Sequence, residues 1–463
     1  MSKMALDINN EETVVETTTS KRNVFFWAMY DLANTIYSMV IVSLIINRYI
    51  LVIGQLEYGI SYGNVFFLYG VVALVMQIGV AICIPFLGAL SDNVGKRKPF
   101  VISLTGIILL FASLIGFTQD LTMVILFFII ANVAYQFSLM FYESMLPFIA
   151  KREDIEKVAG FGVAWGYLGT IMALVIMLPL VFIFGDMNSD PTNPPLSYGY
   201  TSSWFTFVIP MILFLLCTIP FLFVHEKQKK GKRPPVGKLI GSTFKRLNTT
   251  FKDIRKHKSM FIFIIGYFCV ANIANVIVFY MTPLVTDGLI IGGGTTTWAI
   301  LFIIIATFSA VLFTYFIGKF GKKHGAKKTF YLVGVLWGIA LTIGVTLIFT
   351  TQSIEVGANP PFILSIIMGV VAGPALGGTW VAQRIMVTEL APKEKFGEFF
   401  GLSKLSGGLS AALGPFVWGV VMLSYDVIGK AAYGLAMISV GIIMVIGLII
   451  ISYVKTESSK ENN

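Results

Sequence analysis

The chain has 463 residues, of which 56% are hydrophobic, 14% aromatic and only 13% charged, whereas a soluble domain of ordinary composition carries about 25% charged residues. This excludes a water-soluble globule and a disordered chain, and leaves a polytopic membrane protein. The net charge of +10 is concentrated in one place: between His225 and Ser259, twelve Lys/Arg face two acids, Glu226 and Asp253. Such a run indicates a cytoplasmic loop beside anionic lipid, with no nucleic-acid partner.

Residues 1–22 are polar, acid-containing and without an apolar core, which predicts a disordered cytoplasmic tail and not a signal peptide. A bilayer core of about 30 Å needs roughly 20 apolar residues per helix. Runs at 25–53, 65–90, 99–117, 122–149, 159–184 and 204–224 predict an N-terminal six-helix bundle over 23–224. The basic loop occupies 225–259, where Pro234-Pro235 precedes an apolar stripe of Ile240, Phe244, Leu247, Phe251 and Ile254, the pattern of a helix lying on the membrane surface. Runs at 260–285, 297–320, 328–349, 362–390, 396–423 and 431–454 predict a second bundle over 260–454, followed by a cytoplasmic tail at 455–463. The fold class expected is an all-α membrane protein of twelve transmembrane helices in two pseudo-symmetric bundles.

Alternate turns hold Lys96, Arg97 and Lys98, then Lys151, Arg152 and Lys157, the central loop, Lys322, Lys323, Lys327 and Lys328, and Lys393 with Lys395. These turns are expected to be cytoplasmic, with both termini inside. The opposite turns carry Glu57, Asp120, Asp186, Asp190, Asp287, Glu355 and Asp426, with Lys430 as the basic exception. Cys83, Cys217 and Cys269 fall in apolar runs and suggest no disulfide framework. The chain contains no G-x-x-x-x-G-K-[ST], no H-E-x-x-H and no G-x-S-x-G, so neither a nucleotide-driven pump nor an intramembrane enzyme is expected, nor a metal or cofactor.

Gly88-x-x-x-Asp92-x-x-Gly95-Lys96-Arg97-Lys98 returns at an offset of 230 residues as Gly318-x-x-x-Lys322-x-x-Gly325-x-Lys327-Lys328. The first copy resembles the loop motif of the major facilitator superfamily. That resemblance implies that Gly88, Asp92, Gly95, Lys96 and Arg97 form a cytoplasmic gate motif, bracing the inner side while the cavity faces outward. The second copy departs from the motif at Lys322. Trp27-Ala-Met-Tyr-Asp31-Leu-Ala-Asn34-Thr-Ile-Tyr37, Phe141-Tyr-Glu143 to Gly169, and Glu398-Phe-Phe-Gly401 to Gly414-Pro415 narrow the likeness. They are similar to the group containing the fungal autophagy-related vacuolar amino-acid effluxer and its prokaryotic relatives. The group usually has an aromatic where Leu32 stands and an Asn where Glu143 stands. The resemblance implies a permease that exports neutral amino acids, with a small-molecule substrate as its partner, in the plasma membrane of a prokaryote and as a monomer. A lipid or lysolipid translocator, or a non-transporting sensor on the same fold, is the alternative.

Polar groups within the bilayer are expensive, so each is a candidate for the substrate path. Asp31 and Asn34 are spaced i, i+3 on span one, and either line the cavity or bolt the span to a neighbour. Glu143 on span four and Arg384 on span ten lie roughly 10 Å inside the cytoplasmic face by helical rise. They are expected to pair across the halves when the cavity faces outward; the other reading of Arg384 is snorkelling to the interface. Asn272 and Asn275 on span seven could hold a polar ligand or another helix. Lys404 on span eleven completes the set, with Arg48 near the outer face as a further ambiguous charge. Asp31 and Glu143 are the acids available for proton coupling, and no histidine lies within a span. Gly162-Gly166-Gly169 and Gly401-Gly407-Gly408 are small faces suited to close helix approach.

Overall fold

The computed structural model describes residues 19–94, 96–151, 154–184, 204–226, 257–289, 296–350, 362–391 and 396–455. Twelve helices among them are long and apolar enough to cross a membrane: α1 (Lys21–Leu56), α2 (Tyr62–Val94), α3 (Lys98–Ile115), α4 (Leu121–Ser144), α5 (Ile155–Phe184), α6 (Trp204–Thr218), α7 (Lys258–Pro283), α8 (Thr296–His324), α9 (Ala326–Thr350), α10 (Phe362–Leu390), α11 (Phe396–Met422) and α12 (Ala431–Ser452). No strand occurs among the described residues. The surface stripe at 240–254, Gly95 and most of both tails lie outside them, and Gly88 and Asp92 are described only as backbone in α2.

Local chemistry explains the ends. Asp120 caps α4, its side chain accepting the Met123 N–H at 2.9 Å. Pro99 occupies the first turn of α3, where its missing N–H is harmless. Gly325 adopts φ +84° between α8 and α9, a left-handed stop that explains a glycine at this point of the repeated motif. α6 tightens into a 3₁₀ turn over Ile219–Phe223, where Pro220 cannot donate. The least regular helix is α1, in which Tyr37–Ile45 is π-helical. This wider winding is unannounced by any Pro or Gly in the segment and is a feature that recurs at functional sites.

The halves meet along three helix pairs, α2 with α11, α1 with α7 and α5 with α8. Small residues bring the first pair together: a Cβ on Gly63 would stand 2.5 Å from the Met422 carbonyl, and one on Gly70 2.8 Å from that of Pro415. The internal repeat is visible as structure. Lys98 Nζ donates to the carbonyls of Leu222 and Val224 just beyond α6, and Lys327 Nζ donates to Val454 just beyond α12. Each ammonium thus sits at the negative end of the last helix of its half.

At the predicted outer end the halves are sealed. Asn47 donates to the Phe279 carbonyl at 2.9 Å, Thr282 to that of Ser43 at 2.6 Å, and Ser61 to Asp426 at 2.5 Å. Tyr62 stacks on Tyr425 with ring centroids 4.0 Å apart. At the opposite end Glu143, Arg384 and Lys404 are exposed although they lie within their helices. The molecule is therefore closed at the end predicted to be outer and open at the end predicted to be cytoplasmic.

Candidate functional site

The open end leads to a cluster of four charges. Lys404 Nζ on α11 donates to Glu143 Oε1 on α4 at 3.2 Å, a bridge between the two halves whose side chains are 43% and 49% exposed. Asp31 on α1 lies within electrostatic reach of Glu143, Arg384 and Lys404. The acids come from the N-terminal half and the bases from the C-terminal half. In this state Glu143 meets Lys404; the Glu143 and Arg384 pair expected from sequence concerns the opposite, outward-facing state.

Glycines position Asp31. A Cβ on Gly162 would touch Asp31 Oδ2 at 3.3 Å and Trp27 at 2.9 Å, and one on Gly166 would meet Thr35 Oγ1 at 2.9 Å, so the small face of α5 receives the polar face of α1. Trp27 stacks on Tyr142 at 4.5 Å. Tyr30 is held by Thr105 at 2.8 Å and by Ser138. Tyr135 and Tyr142 lie near Asp31 and Glu143, and Tyr167 and Tyr267 near Arg384, giving the charged cluster aromatic walls.

Asn34 is buried on the same helix. Asn272 and Asn275 turn to α11: Asn272 Oδ1 would lie 2.7 Å from a Cβ on Gly414, and Asn275 donates to the Gly407 carbonyl at 3.2 Å. Of their two sequence readings, the contacts favour helix packing. Sequence reasoning missed Gln383, which accepts from Tyr267 at 3.0 Å and donates to Ser403 at 2.8 Å. Its position beside Arg384 was the available signal, since this fixes the α10 turn that presents the guanidinium.

Within the gate motif, Arg97 is held by an acid from outside it. Glu226, at the start of the basic loop, accepts the backbone N–H groups of Arg97 at 2.8 Å and Lys98 at 3.1 Å. It also pairs with the Arg97 guanidinium at 3.4 Å, which lies 4.2 Å over the Phe148 ring. A carboxylate at a helix N-terminus is favoured by the dipole, and both partners are buried. Lys96 is exposed. Glu226→Ala would remove the buried carboxylate that holds Arg97 and the N-terminus of α3, and a loss of about 3 kcal/mol in stability is expected; a thermal-unfolding curve in detergent that matches wild type would contradict this.

The outer seal was also missed as a unit. Arg48 on α1 reaches Asp287 beyond α7 at 2.6 and 2.8 Å, the pair being 7% and 15% exposed. Tyr62 donates to Asp287 at 2.5 Å and lies 2.7 Å from the Tyr433 hydroxyl, and Thr286 donates to Asp287 at 2.8 Å. Burial draws the neighbouring Lys430 ammonium below its ordinary pKa while Asp287 opposes that shift. The sequence signal was Arg48 itself, a cation at the end where basic residues are scarce.

Two six-helix halves around a crevice closed at one end, with opposite charges facing across it, define a secondary transporter of the major facilitator superfamily. The chain belongs to the family described as "Vacuole effluxer Atg22 like", whose sequence model matches residues 60–463. It is 23% identical over 442 residues to an uncharacterized MFS-type transporter of Bacillus subtilis, YxiO, covering 94% of this chain and 95% of that one. It is 25% identical over 276 residues to autophagy-related protein 22 of Yarrowia lipolytica, covering 58% and 45% respectively. Among solved structures, a D-xylose-proton symporter superposes with TM-score 0.69 at 14% identity, covering 94% of this chain and 98% of that one. The nucleoside transporter NupG superposes with TM-score 0.66 at 16% identity, covering 94% and 98%. At such identities these two show the shared fold. YxiO, the symporter and NupG are described as transporters, not enzymes.

Proposed function

We propose that this transporter moves a neutral amino acid across the membrane by alternating access, in the direction of efflux. The observation that supports this reading is the crossed quartet: Asp31 and Glu143 on one half, Arg384 and Lys404 on the other, joined by the Lys404 to Glu143 bridge. A zwitterion carries the two charges that this set complements, its ammonium toward Asp31 and Glu143 and its carboxylate toward Arg384 and Lys404. Competing with the existing bridge, it would draw the halves together around itself, and closure of the inner side would release the outer one. The description of the family as an effluxer agrees with the direction.

The same reading assigns 23–224 and 260–454 to the two rocking bundles, with Gly88, Asp92, Gly95, Lys96 and Arg97 as the inner brace of the outward-facing state. Both termini and the basic loop 225–259 stay in the cytoplasm of a prokaryote, the loop against anionic lipid, and the carrier acts as a monomer. Counterflow into liposomes against amino acids, small peptides, nucleosides and sugars tests the substrate. Exchange of neutral amino acids above all others is expected. Exchange of another class alone, or flipping of a lipid probe without solute exchange, would overturn the assignment.

A further inference from the structure

Beyond the charged quartet, the N-terminal half buries several polar atoms that have no hydrogen-bond partner in the protein. Ser43, Asn47 and Tyr142 carry such atoms at the seal and beside the quartet, and between them lie Asn34 Oδ1 and Tyr37 Oη on α1 and Tyr69 Oη on α2; these three residues are 2%, 0% and 3% exposed. Each such atom carries an uncompensated desolvation penalty unless a ligand or water reaches it. These three are connected. Asn34 and Tyr37 are one helical turn apart, and the Tyr37 phenol lies within electrostatic reach of those of Tyr69 and Tyr135.

Their position in the path follows from their neighbours. Tyr135, 5.0 Å from Tyr37 between ring centroids, is tied to Ser38 and lies near Asp31 and Glu143, so the set adjoins the quartet. Tyr69 packs edge-on against Tyr280 at 5.6 Å, next to the sealed outer end. Tyr37 also opens the π-helical segment. The unpaired atoms thus occupy the stretch between the charged cluster and the outer seal.

We infer that Asn34, Tyr37 and Tyr69 form a subsite that recognises an uncharged hydrogen-bonding group, a hydroxyl or a carboxamide, on the substrate side chain. This rests on the amino-acid reading for the remainder of the ligand. The amide oxygen accepts only, while a phenol donates and accepts, so the set suits a group that does both. An apolar isostere would leave the three atoms unpaired, which is how a site discriminates strongly against a ligand of equal size.

Two measurements test it. In ligand-free detergent solution, Tyr37→Phe and Tyr69→Phe are expected to melt at or above the wild-type temperature, because each removes a hydroxyl that lacks a partner. A fall of several degrees in both would show hydroxyls already satisfied, by ordered water only, and would overturn the subsite. In counterflow, wild type is expected to favour threonine over valine and glutamine over methionine by at least about tenfold, and each Phe variant to bring the ratio toward one. Equal exchange by wild type, or ratios untouched by both substitutions, would also overturn it. If wild type exchanges no amino acid, the amino-acid reading fails on its own. The subsite is then decided by nucleoside against 2′-deoxynucleoside and sugar against deoxysugar, and by the melting result where none exchanges.

Discussion

Arg48→Ala is expected to unseal the outer end. The pair it breaks is nearly buried, and removing Arg48 leaves the Asp287 carboxylate with only hydroxyl donors from Tyr62 and Thr286, a loss of about 3–5 kcal/mol borne by the outward-closed state alone. The balance between states should therefore move toward outward-facing by about 100- to 4,000-fold. In a background lacking Cys83, Cys217 and Cys269, a cysteine at Ser43, buried in the seal, should react with a membrane-impermeant maleimide from outside only when Arg48 is replaced. Exchanging the two charges, Arg48→Asp with Asp287→Arg, should restore protection. Labelling that is equally slow in Arg48→Ala and in wild type would remove the pair as the latch.

Single charge reversals in the quartet are expected to stop transport. Glu143→Lys sets three cations against Asp31, and Lys404→Glu sets three acids against Arg384. A like-charge arrangement of this kind is unfavourable by several kcal/mol, so exchange should fall by about 100-fold or more. The double reversal of Glu143 and Lys404 should recover much of it, because their bridge crosses the halves in the inward-facing state. The double reversal of Glu143 and Arg384 examines the pair expected in the outward-facing state. Failure of both double variants, with normal expression and folding, would mean that these charges do not act together.

Much of the fold is legible in the sequence because a bilayer imposes simple constraints: an apolar run of sufficient length must be a helix, and cations must stay inside. The repeat at an offset of 230 residues has a physical counterpart in Lys98 and Lys327 at the ends of α6 and α12. The candidate site is only partly legible. Asp31, Glu143, Arg384 and Lys404 stand out because charge is rare in oil, and each can be found one residue at a time. Their partners cannot, since packing alone decides that Lys404 meets Glu143 or that Arg48 meets Asp287 across 239 positions. Glu226 was hidden in a basic run as a minority charge, although its role is to hold the N-terminus of α3. Tyr37 and Tyr69 give no signal in the sequence, because an aromatic on a membrane helix carries no sign of whether its hydroxyl is satisfied. Asn272 and Asn275 fitted two readings until the glycine face of α11 was seen against them.

Alternating access itself is tested most directly by two spin-label distances measured in lipid nanodiscs. One pair joins the outer surfaces at Tyr58 and Val427, and the other joins the inner surfaces at Lys151 and Ala391. On passing from wild type to Arg48→Ala, the outer distance should lengthen while the inner one shortens in the same fraction of molecules. Distances that stay fixed, or that lengthen at both ends together, would contradict a carrier whose halves rock about a closed crevice.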